Sequence, residues 1–390
     1  MSLKRTVAVV TFAWSFDALD FMLLPLLSIP IMTDFNLSKT SFSLLISIGL
    51  LGTVIGGIVS GALSDIFGRK KMLAVSLIIY GVGTLLLAFS RNFVEAFMAR
   101  LLIGFGLGSE WSTGMALVTE QAPPEKRGML VAIVQSGWPM GVLLAITYVI
   151  FIYPVANWRG CFLVAILPAL LTVYVIKSIE ESRKWKEKRE KGGTFIGLFK
   201  REHVKKTILA LTLNIFAMFS YWMFWSWLPT FLYEKRGISV VKSAEWLITT
   251  QLGAWIGYIT YGILQDNYGR RPTWCLFTAM EATLMLTYIW IASTNQTLAI
   301  ALGLLLGYFT GFWSAFGALV SELFPTNIRG SALGFIFNAG RAINFVSPII
   351  IAWLSEQYGW LVALSLAAIS AYIASILVWT LPETKSKILE

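Results

Sequence analysis

The chain has 390 residues, of which 57% are hydrophobic and only 13% are charged, and its mean hydropathy is +0.72. A soluble protein of this length cannot bury so much apolar surface, so the composition excludes that class and predicts a membrane protein. By itself a formal net charge of +10 suggests a nucleic-acid partner, but most of the 31 Lys and Arg residues fall in alternate loops between apolar runs. Such a one-sided distribution is typical of membrane orientation, and we expect no nucleic-acid binding.

Apolar runs of membrane-spanning length follow one another along the whole chain. A spanning helix needs about 20 mainly apolar residues. Between turn and charge clusters the sequence contains twelve such runs, numbered spans 1 to 12, at 6–30, 42–64, 71–91, 93–118, 129–152, 158–178, 206–233, 244–266, 272–293, 297–322, 331–355 and 358–380. We expect no cleavable signal peptide, because the first run is too long for one. The sequence therefore predicts an all-α membrane protein with twelve transmembrane helices.

The charged loops predict how the chain is placed in the bilayer. Because Lys and Arg concentrate on one side, we expect a multi-pass protein of the cell membrane with both termini in the cytoplasm. The longest charged loop joins spans 6 and 7. It predicts an N-terminal six-helix bundle at 1–178, a cytoplasmic linker at 179–205 and a C-terminal six-helix bundle at 206–390.

Cysteine and histidine offer little chemistry inside the membrane. Cys161 and Cys275 fall within predicted spans without metal-ligand spacing, and the single histidine, His203, lies in the linker. No phosphate-binding loop or nucleophile motif is evident either. We therefore expect no metal, no cofactor and no enzyme activity. Any proton that binds inside the membrane is expected to bind a carboxylate.

Two loop signatures occur once in each half of the chain, in the same order. The first signature places Asp65 and Arg69 in one half and Asp266 and Arg270 in the other. The second signature places Glu120 and Arg127 in the first half and Glu322 and Arg329 in the second. Matched landmarks of this kind indicate a parallel internal repeat. Since all eight charges lie at predicted cytoplasmic helix ends, we expect them to form a salt-bridge gate that closes the cytoplasmic side.

Small residues line one face of span 2. Gly52, Gly56, Gly57 and Gly61 occur at spacings that let helix backbones approach closely, and span 8 repeats most of this stripe. Two interpretations stay open and are compatible. The stripe is static packing, or it is a seam along which the two halves slide.

The segment Gly61–Lys71, Gly-Ala-Leu-Ser-Asp-Ile-Phe-Gly-Arg-Lys-Lys, resembles the loop 2–3 signature of the major facilitator superfamily. The element Arg-(x)3-Gly-x-Gly-x-Gly from Arg100 and the repeated Glu and Arg residues extend the resemblance across nearly the whole chain. It implies the major facilitator fold of two six-helix bundles and gradient-driven transport by alternating access. In sugar-type members an arginine at this place pairs with a carboxylate of span 1, so the resemblance implies that Arg100 pairs with Asp17 or Asp20.

Subfamily features point to organic acids. Phe16–Phe21 is similar to the Asp-x-x-Asp element of proton symporters in the sialate/lactate and aromatic-acid groups. Gly108–Trp111 looks more like the first of these groups. Trp227–Thr230 and the pair at 340–341 look more like the second. The resemblance implies carboxylate uptake and leaves the carboxylate unnamed.

Several ionisable residues fall inside predicted spans, where a charge is costly and usually marks function. Asp17 and Asp20 are three apart and share a helix face, so they disfavour each other's ionisation and suit reversible protonation. We expect them, with Arg100 and Glu110, to couple transport to protons; a purely structural Glu110 stays an alternative. Glu281 lies on span 9, a peripheral scaffold helix by the resemblance, and we expect no direct role for it.

Arg341 near the middle of span 11 suggests a substrate. A guanidinium is planar, always charged and suited to bidentate carboxylate recognition. Its alternative role is an internal ion pair, although no nearby acid is evident in the C-terminal half except Glu281. Asn338 and Asn344 flank it on one helical stripe. Further predicted substrate-binding residues are the aromatics Tyr221, Trp222, Trp225 and Trp313.

The sequence favours a monomeric secondary transporter that takes up an organic anion, most simply a monocarboxylate, together with protons. Its partners are then the anion, protons and the lipid bilayer. Two alternatives stay open: a proton-coupled sugar or polyol symporter, which shares the Arg100 element, and a non-transporting membrane sensor on the same scaffold. Arg341 favours an anion over a neutral sugar, and the set of coupling residues disfavours a sensor.

Overall fold

The computed structural model describes residues 3–176, 179–181, 195–237, 240–292 and 295–385, which are helical almost throughout. The helices of the first half are α1 (Leu3–Leu26), α2 (Ser28–Asp34), α3 (Lys39–Phe67), α4 (Arg69–Ala88), α5 (Phe93–Gln121), α6 (Arg127–Gln135), α7 (Gly137–Phe151) and α8 (Tyr153–Ile176). Those of the second half are α9 (Val204–Trp225), α10 (Leu228–Arg236), α11 (Val240–Tyr268), α12 (Arg270–Ala292), α13 (Gln296–Phe309), α14 (Ser314–Leu323), α15 (Thr326–Ile343), α16 (Ser347–Tyr358) and α17 (Trp360–Leu377).

The predicted spans correspond to these helices or to pairs of them. Within the described residues, ten segments are long and apolar enough to cross a membrane. The two remaining spans, 6 and 8, fall on α8 and α11, which have 24 and 29 residues. α8 is interrupted at Asn157, whose φ of 54° is not helical, so its spanning part begins just after that residue. Most of the predicted linker lies outside the described residues, and the domain bounds stay a prediction.

The turn after each first signature is built in the same way in both halves. Gly68 and Gly269 have φ values of 104° and 110°, and each directly precedes a helix, α4 or α12. A residue with a side chain is strained in this backbone region. The repeated glycine is therefore required by the shape of the turn.

Helices of one half pack chiefly on each other, and a few helices join the halves. α3 packs on α5 and α1 packs on α7, while in the second half α11 packs on α13 and α12 on α17. The main contacts between the halves are made by α3 with α15 and α16, by α11 with α6 and α7, by α5 with α15, and by α6 with α14. Helices α3, α5, α6 and α7 of the first half therefore form the interface with α11, α14, α15 and α16 of the second.

The glycine stripe of span 2 has two separate functions. A Cβ at Gly52 or Gly56 would overlap the backbone of α5 in the same half, at Leu101 O and Phe105 O respectively. Gly57 and Gly61 instead face α15 of the other half. The first pair therefore belongs to static packing, and only the second pair lies at the surface where the halves meet. The second half repeats this division, with Gly253 and Gly257 against α13 and Gly262 against α6.

This division predicts different costs for two similar substitutions. Gly56→Ala forces a Cβ onto the Phe105 carbonyl, so we expect the free energy of unfolding to fall by about 1–3 kcal/mol, as for other overpacked sites. Gly61→Ala should change it much less, because the nearest atom to its Cβ is Gly330 O at 3.6 Å. Denaturant unfolding in detergent, followed by tryptophan fluorescence, measures both. Equal losses in the two variants would contradict the division.

Candidate functional site

A cavity of about 30 Å³ lies between the two halves of the molecule. Its walls are mostly aromatic and come from both halves. The lining residues are Trp14, Gln135, Trp138, Met218, Tyr221, Trp222, Tyr258, Trp313, Phe337 and Arg341. This volume is enough for about two waters, so the halves must move apart to admit an organic ligand.

The helices that line the cavity are interrupted beside it. α6 ends at Gln135, α9 ends at Trp225, a short 3-10 turn spans Thr310–Trp313, and another follows Arg341 at Asn344–Val346. Such breaks leave backbone groups free of the helical ladder, as in the discontinuous helices of other transport sites. One of these groups, the carbonyl of Trp313, accepts a hydrogen bond of 3.0 Å from Gln135 Nε2 across the halves.

Several polar atoms at the cavity are donors without acceptors among the described residues. The indole nitrogens of Trp14, Trp222 and Trp313 and the Nε of Arg341 have no hydrogen-bond partner among the described residues. The Gln135 side chain, by contrast, is already occupied, since it also accepts from Trp111 Nε1 at 2.9 Å. Buried donors are rarely left unpaired. The cavity is therefore matched to a ligand that supplies acceptor oxygens.

Arg341 is held by aromatic rings in the last turn of α15. Its Cζ lies 4.6 Å from the ring centroid of Phe337 and 5.9 Å from that of Trp14. Phe337 in turn stacks on Trp111 of the first half, with centroids 3.6 Å apart and ring planes 11° apart. The negative end of the helix dipole and the ring faces both favour the guanidinium. The cation is thus fixed in orientation without a direct carboxylate partner among the described residues.

Two carboxyl groups of the first half lie near Arg341, although neither belongs to the cavity lining. Asp17 of α1 and Glu110 of α5 are both fully buried, and both attract the guanidinium. Their side chains lie within hydrogen-bonding reach of each other. No donor from the described residues reaches any of their four oxygens, so only a proton on one of the two can join them. Sequence alone gave Arg341 no evident acidic neighbour because both acids belong to the other half.

Asp20 and Arg100 form a second charged group inside the first half. Both are fully buried, and each attracts the other, although no hydrogen bond joins these two charged groups. The Arg100 guanidinium lies 5.0 Å from the ring centroid of Phe21 and against Gly49 of α3. Of the two acids that the resemblance offered to Arg100, the structure brings Asp20 to it and places Asp17 with Glu110.

Three predicted substrate-binding residues are not part of the cavity wall. Asn338 and Asn344 donate to the carbonyls of Gly334 and Gly340, one helical turn earlier, at 2.9 and 2.7 Å. Asn344 also donates to the Ile215 carbonyl of α9 at 3.4 Å, and Asn338 packs against Gly57 of α3. Trp225 contacts Tyr221, with ring centroids 6.1 Å apart. Tyr221, Trp222, Trp313 and Arg341 line the cavity, and their binding of substrate stays a prediction.

The charges of the repeated loops meet at one end of the molecule, here called the repeat-loop end. Glu322 is their centre: it accepts two hydrogen bonds from Arg270, at 2.8 and 3.1 Å, and lies 3.4 Å from Arg127 of the other half. Thr384 also donates to Glu322, at 2.7 Å. Because Arg127 and Glu322 come from different halves and are buried, this cluster joins the halves.

Asp266 makes a second link at the same end. It accepts from Arg270 at 2.6 Å and from the backbone N–H of Met129, in the other half, at 3.0 Å. A Cβ on Gly128 would overlap the Asp266 carboxylate, so the loop can approach only because that position has no side chain.

The equivalent cluster of the first half is centred on Glu120. Arg69 lies 3.4 Å from Glu120, and Arg329 of the other half is attracted by it. Each glutamate is therefore approached by an arginine of its own half and by one of the other half. The side chain of Asp65, the remaining predicted gate residue, lies outside the described part of the structure.

The C-terminal segment fixes the start of α12. Glu383 accepts the backbone N–H groups of Arg270 and Arg271, at 2.8 and 3.0 Å, as well as those of Thr384 and Lys385. Partial burial alone raises the pKa of Glu383, but these four donors outweigh it and leave the pKa below its usual value. In the first half Glu181 accepts from the N–H of Lys70 at 3.1 Å, so the repeat extends to this cap.

The halves also touch at the opposite end. Lys39 of α3 forms an ion pair with Glu234 of α10, and Trp360 donates to the same carboxylate at 3.0 Å. Nearer the cavity, Ser47 donates to the Phe345 carbonyl at 2.9 Å. Contacts between the halves therefore lie both above and below the central cavity.

Comparison with known proteins identifies the family. The model of the Major Facilitator Superfamily matches residues 9–250 and 215–389, which together include almost the entire chain. The chain belongs to the Major Facilitator Superfamily. It is thus a membrane transporter with twelve transmembrane helices in two six-helix bundles, as the sequence predicts.

Relatives of this facilitator carry small organic compounds according to their names. A Haemophilus influenzae protein named for metabolite transport is 31% identical over 97% of this chain and 95% of its own. A niacin transporter of Acinetobacter baylyi is 27% identical over 98% and 94%, and a sialic acid transporter of Escherichia coli is 26% identical over 91% and 88%. A solved structure of a proton:xylose symporter has a TM-score of 0.82 over 99% of this chain and 97% of its own, at 20% identity, a likeness of fold alone.

In a facilitator, contacts between the halves determine which side of the protein is closed. We therefore expect Glu322 to stabilise the state in which the repeat-loop end is closed. Glu322→Gln keeps the shape but removes the charge that holds Arg127 and Arg270. Breaking a buried pair leaves uncompensated cations and costs about 3–5 kcal/mol. We expect the repeat-loop end to open, which a cysteine at Ser331 reports as faster labelling by a soluble thiol reagent. Glu95→Gln, far from the cluster, is the control, and parental labelling in Glu322→Gln would contradict this function.

Proposed function

We propose that this facilitator takes up a small organic anion, a flat monocarboxylate, together with protons. The observation that carries the proposal is the central cavity, with unpaired N–H donors around Arg341 and aromatic walls on the other sides. A carboxylate supplies the acceptors that these donors lack. A sugar hydroxyl is both donor and acceptor, and the few acceptors of the wall are already engaged or belong to tyrosines.

The aromatic walls favour a flat substrate. Seven of the ten lining residues are Trp, Tyr or Phe, so a ring or conjugated chain can stack on them while its carboxylate meets Arg341. The name of the niacin transporter supports this choice, because nicotinate is a ring that carries one carboxylate. The name of the sialic acid transporter supports an organic acid as substrate, although not a flat one.

Proton coupling follows from competition for Arg341. Before substrate binds, the guanidinium is balanced by the Asp17–Glu110 pair, which holds one proton. An incoming carboxylate forms an ion pair with Arg341. The Asp17–Glu110 pair then carries one negative charge that no cation balances. Binding a second proton removes that charge. Anion and proton therefore enter together, with little net charge added to the cavity.

Asp20 and Arg100 are proposed to relay the proton within the first half. When Asp20 is protonated, Arg100 loses its counter-charge and is held only by the aromatic face of Phe21. The repeat-loop charges, including Asp65, Arg69, Asp266 and Arg329, are proposed to act as the cytoplasmic gate. Since a single chain holds the complete cavity, we propose the monomer as the working unit.

The orientation of the gate depends on topology, which labelling tests. We propose that the protein lies in the cell membrane with both termini in the cytoplasm, as the Lys and Arg distribution suggests. A cysteine at Lys126, beside the repeat loops, should then react with an impermeant thiol reagent only in inverted vesicles. One at Arg91, on the opposite side, should react in intact cells. The reverse pattern would overturn the orientation and the cytoplasmic location of the gate.

Uptake into proteoliposomes tests the function directly. With an imposed inward proton gradient we expect radiolabelled nicotinate, or another flat acid of a panel, to accumulate above its external concentration. Accumulation of xylose with no acid would favour the sugar symporter instead. Binding without uptake of any compound would favour the sensor.

A further inference from the structure

Glu281 is an intramembrane carboxyl group that the uptake mechanism above leaves without a role. It lies on α12 and is 0% exposed. Neither of its oxygens accepts a hydrogen bond from the described residues, and no Arg, Lys or His among them acts on it. An unpaired carboxylate is very unfavourable in such a place. The group therefore holds a proton in this closed arrangement.

Glu281 lies directly behind the cavity wall. The titratable groups that face it are Tyr221 of α9 and Tyr258 of α11, which both line the cavity. Met285, one turn further along α12, contacts Ser220 of α9 at 3.7 Å, so this face of α12 is turned toward the substrate helices. α13, α17 and the turn at 310–313 also pack on α12, and their described residues bring no charge to Glu281.

One of these tyrosines also contacts the other half. The Tyr221 hydroxyl accepts a hydrogen bond of 2.6 Å from Trp138 Nε1 of α7. When the halves separate at this level, Trp138 must leave and water can enter between the two rings. The same step that opens the cavity therefore exposes the region in front of Glu281.

We propose that Glu281 is a second proton-binding site of this transporter, which holds its proton while the cavity is closed and exchanges it with cavity water when the Trp138–Tyr221 contact opens. The proton binds one carboxylate oxygen from water on one side and returns to water on the other, and no other bond changes. This role contradicts our expectation of a passive scaffold residue. It rests on the proton-coupled uptake proposed above, and its first test needs no substrate.

Infrared difference spectra of the substrate-free protein in lipid, parent minus Glu281→Gln, test the protonation. At neutral pH we expect loss of a protonated carboxylic acid C=O band and no loss of carboxylate bands. Glu95→Gln, which removes an exposed acid, should show the reverse. Loss of carboxylate bands from Glu281→Gln would overturn the inference. An amide resembles the protonated acid in shape, so this variant should unfold at the parental temperature.

Hydrogen–deuterium exchange of that band tests the link to opening. Trp138→Phe keeps an aromatic ring but removes the donor to Tyr221, so the band should shift to its deuterated position faster than in the parent. Phe224→Leu, on the same helix as Tyr221 but outside the cavity wall, is the control for loosened packing. Equal exchange in Trp138→Phe and the parent would overturn the gating by this contact.

Nicotinate uptake under an imposed pH gradient tests whether the bound proton is transported. One proton fewer per substrate should lower accumulation by Glu281→Gln about tenfold for each pH unit of gradient, while exchange of nicotinate across equal pH persists. Parental accumulation would overturn the carrying role. If the parent carries no acid at all, the proposed function fails, whereas the infrared band still shows whether Glu281 holds a proton.

Discussion

Arg341→Ala should lose organic-acid binding almost completely. The substitution removes the central cation and leaves a carboxylate to be desolvated in an aromatic cavity without a partner. It also leaves Asp17 and Glu110 without the guanidinium that attracts them. Calorimetry or ligand-induced thermal shift in detergent measures binding independently of transport, with nicotinate as the first probe.

Arg341→Lys separates charge from shape. Lysine keeps the cation but lacks the planar fork that lies over Phe337, so we expect binding to weaken by about 1.5–3 kcal/mol, the scale of a hydrogen bond to a charged group. Asn338→Ala and Asn344→Ala should have smaller effects, since these amides are bonded within α15. Arg91→Ala, at an exposed loop, is the control. Parental binding of acids by Arg341→Ala, or binding of sugars and not acids by the parent, would defeat the anion proposal.

Sequence identified Arg341 because a lone arginine in a membrane span is rare. It could not identify the acids opposite, since Asp17 and Glu110 approach from the other half through a contact that no local pattern encodes. Spacing on one helical stripe predicted Asn338 and Asn344 as ligands. In the structure each amide donates to the carbonyl one turn earlier, as polar side chains inside helices often do, and binding of substrate by these residues stays a prediction.

The cavity wall was the least predictable feature. Trp14, Trp138 and Phe337 look like ordinary membrane aromatics, and only the packing of the halves places them around one space. The twelve spans were predictable because hydropathy reports length and polarity. The interruptions beside Gln135 and Trp225 were not, because a broken helix and a continuous one can have the same hydropathy.

The gate residues were predicted from repetition, but their pairing was not. Within each signature a glutamate and an arginine lie close in sequence, which suggests that they pair with each other. In the structure Arg127 instead reaches Glu322 of the other half, while Arg270 forms the bidentate contact. Repetition therefore singles out the charged residues of the loops, whereas their ion-pair partners are known only from the structure.

Combining Asp17→Asn with Glu110→Gln should abolish proton uptake by this pair and spare exchange of substrate at equal pH. Both amides keep the shape of a neutral carboxyl group, so the cavity can still close, but neither amide binds a proton. The proton of this pair is worth about a tenfold accumulation per pH unit of gradient, which the double variant should lose. Each single variant keeps one carboxyl group that can bind this proton, so each should keep the coupling. Uptake and counterflow in proteoliposomes measure the two activities separately.

Comparison of the single and double variants shows whether the two groups act as one unit. If either carboxyl group can bind the coupled proton, each single variant should still concentrate substrate and only the double variant should lose this coupling, because residues that act as one unit are not additive. Asp20→Asn should differ from both single variants: it leaves Arg100 buried without its counter-charge, so the protein should also unfold more easily. If the double variant concentrates substrate like the parent, the pair is structural. Proton coupling would then have to come from Asp20 or from Glu281, whose infrared band and uptake phenotype would decide between them.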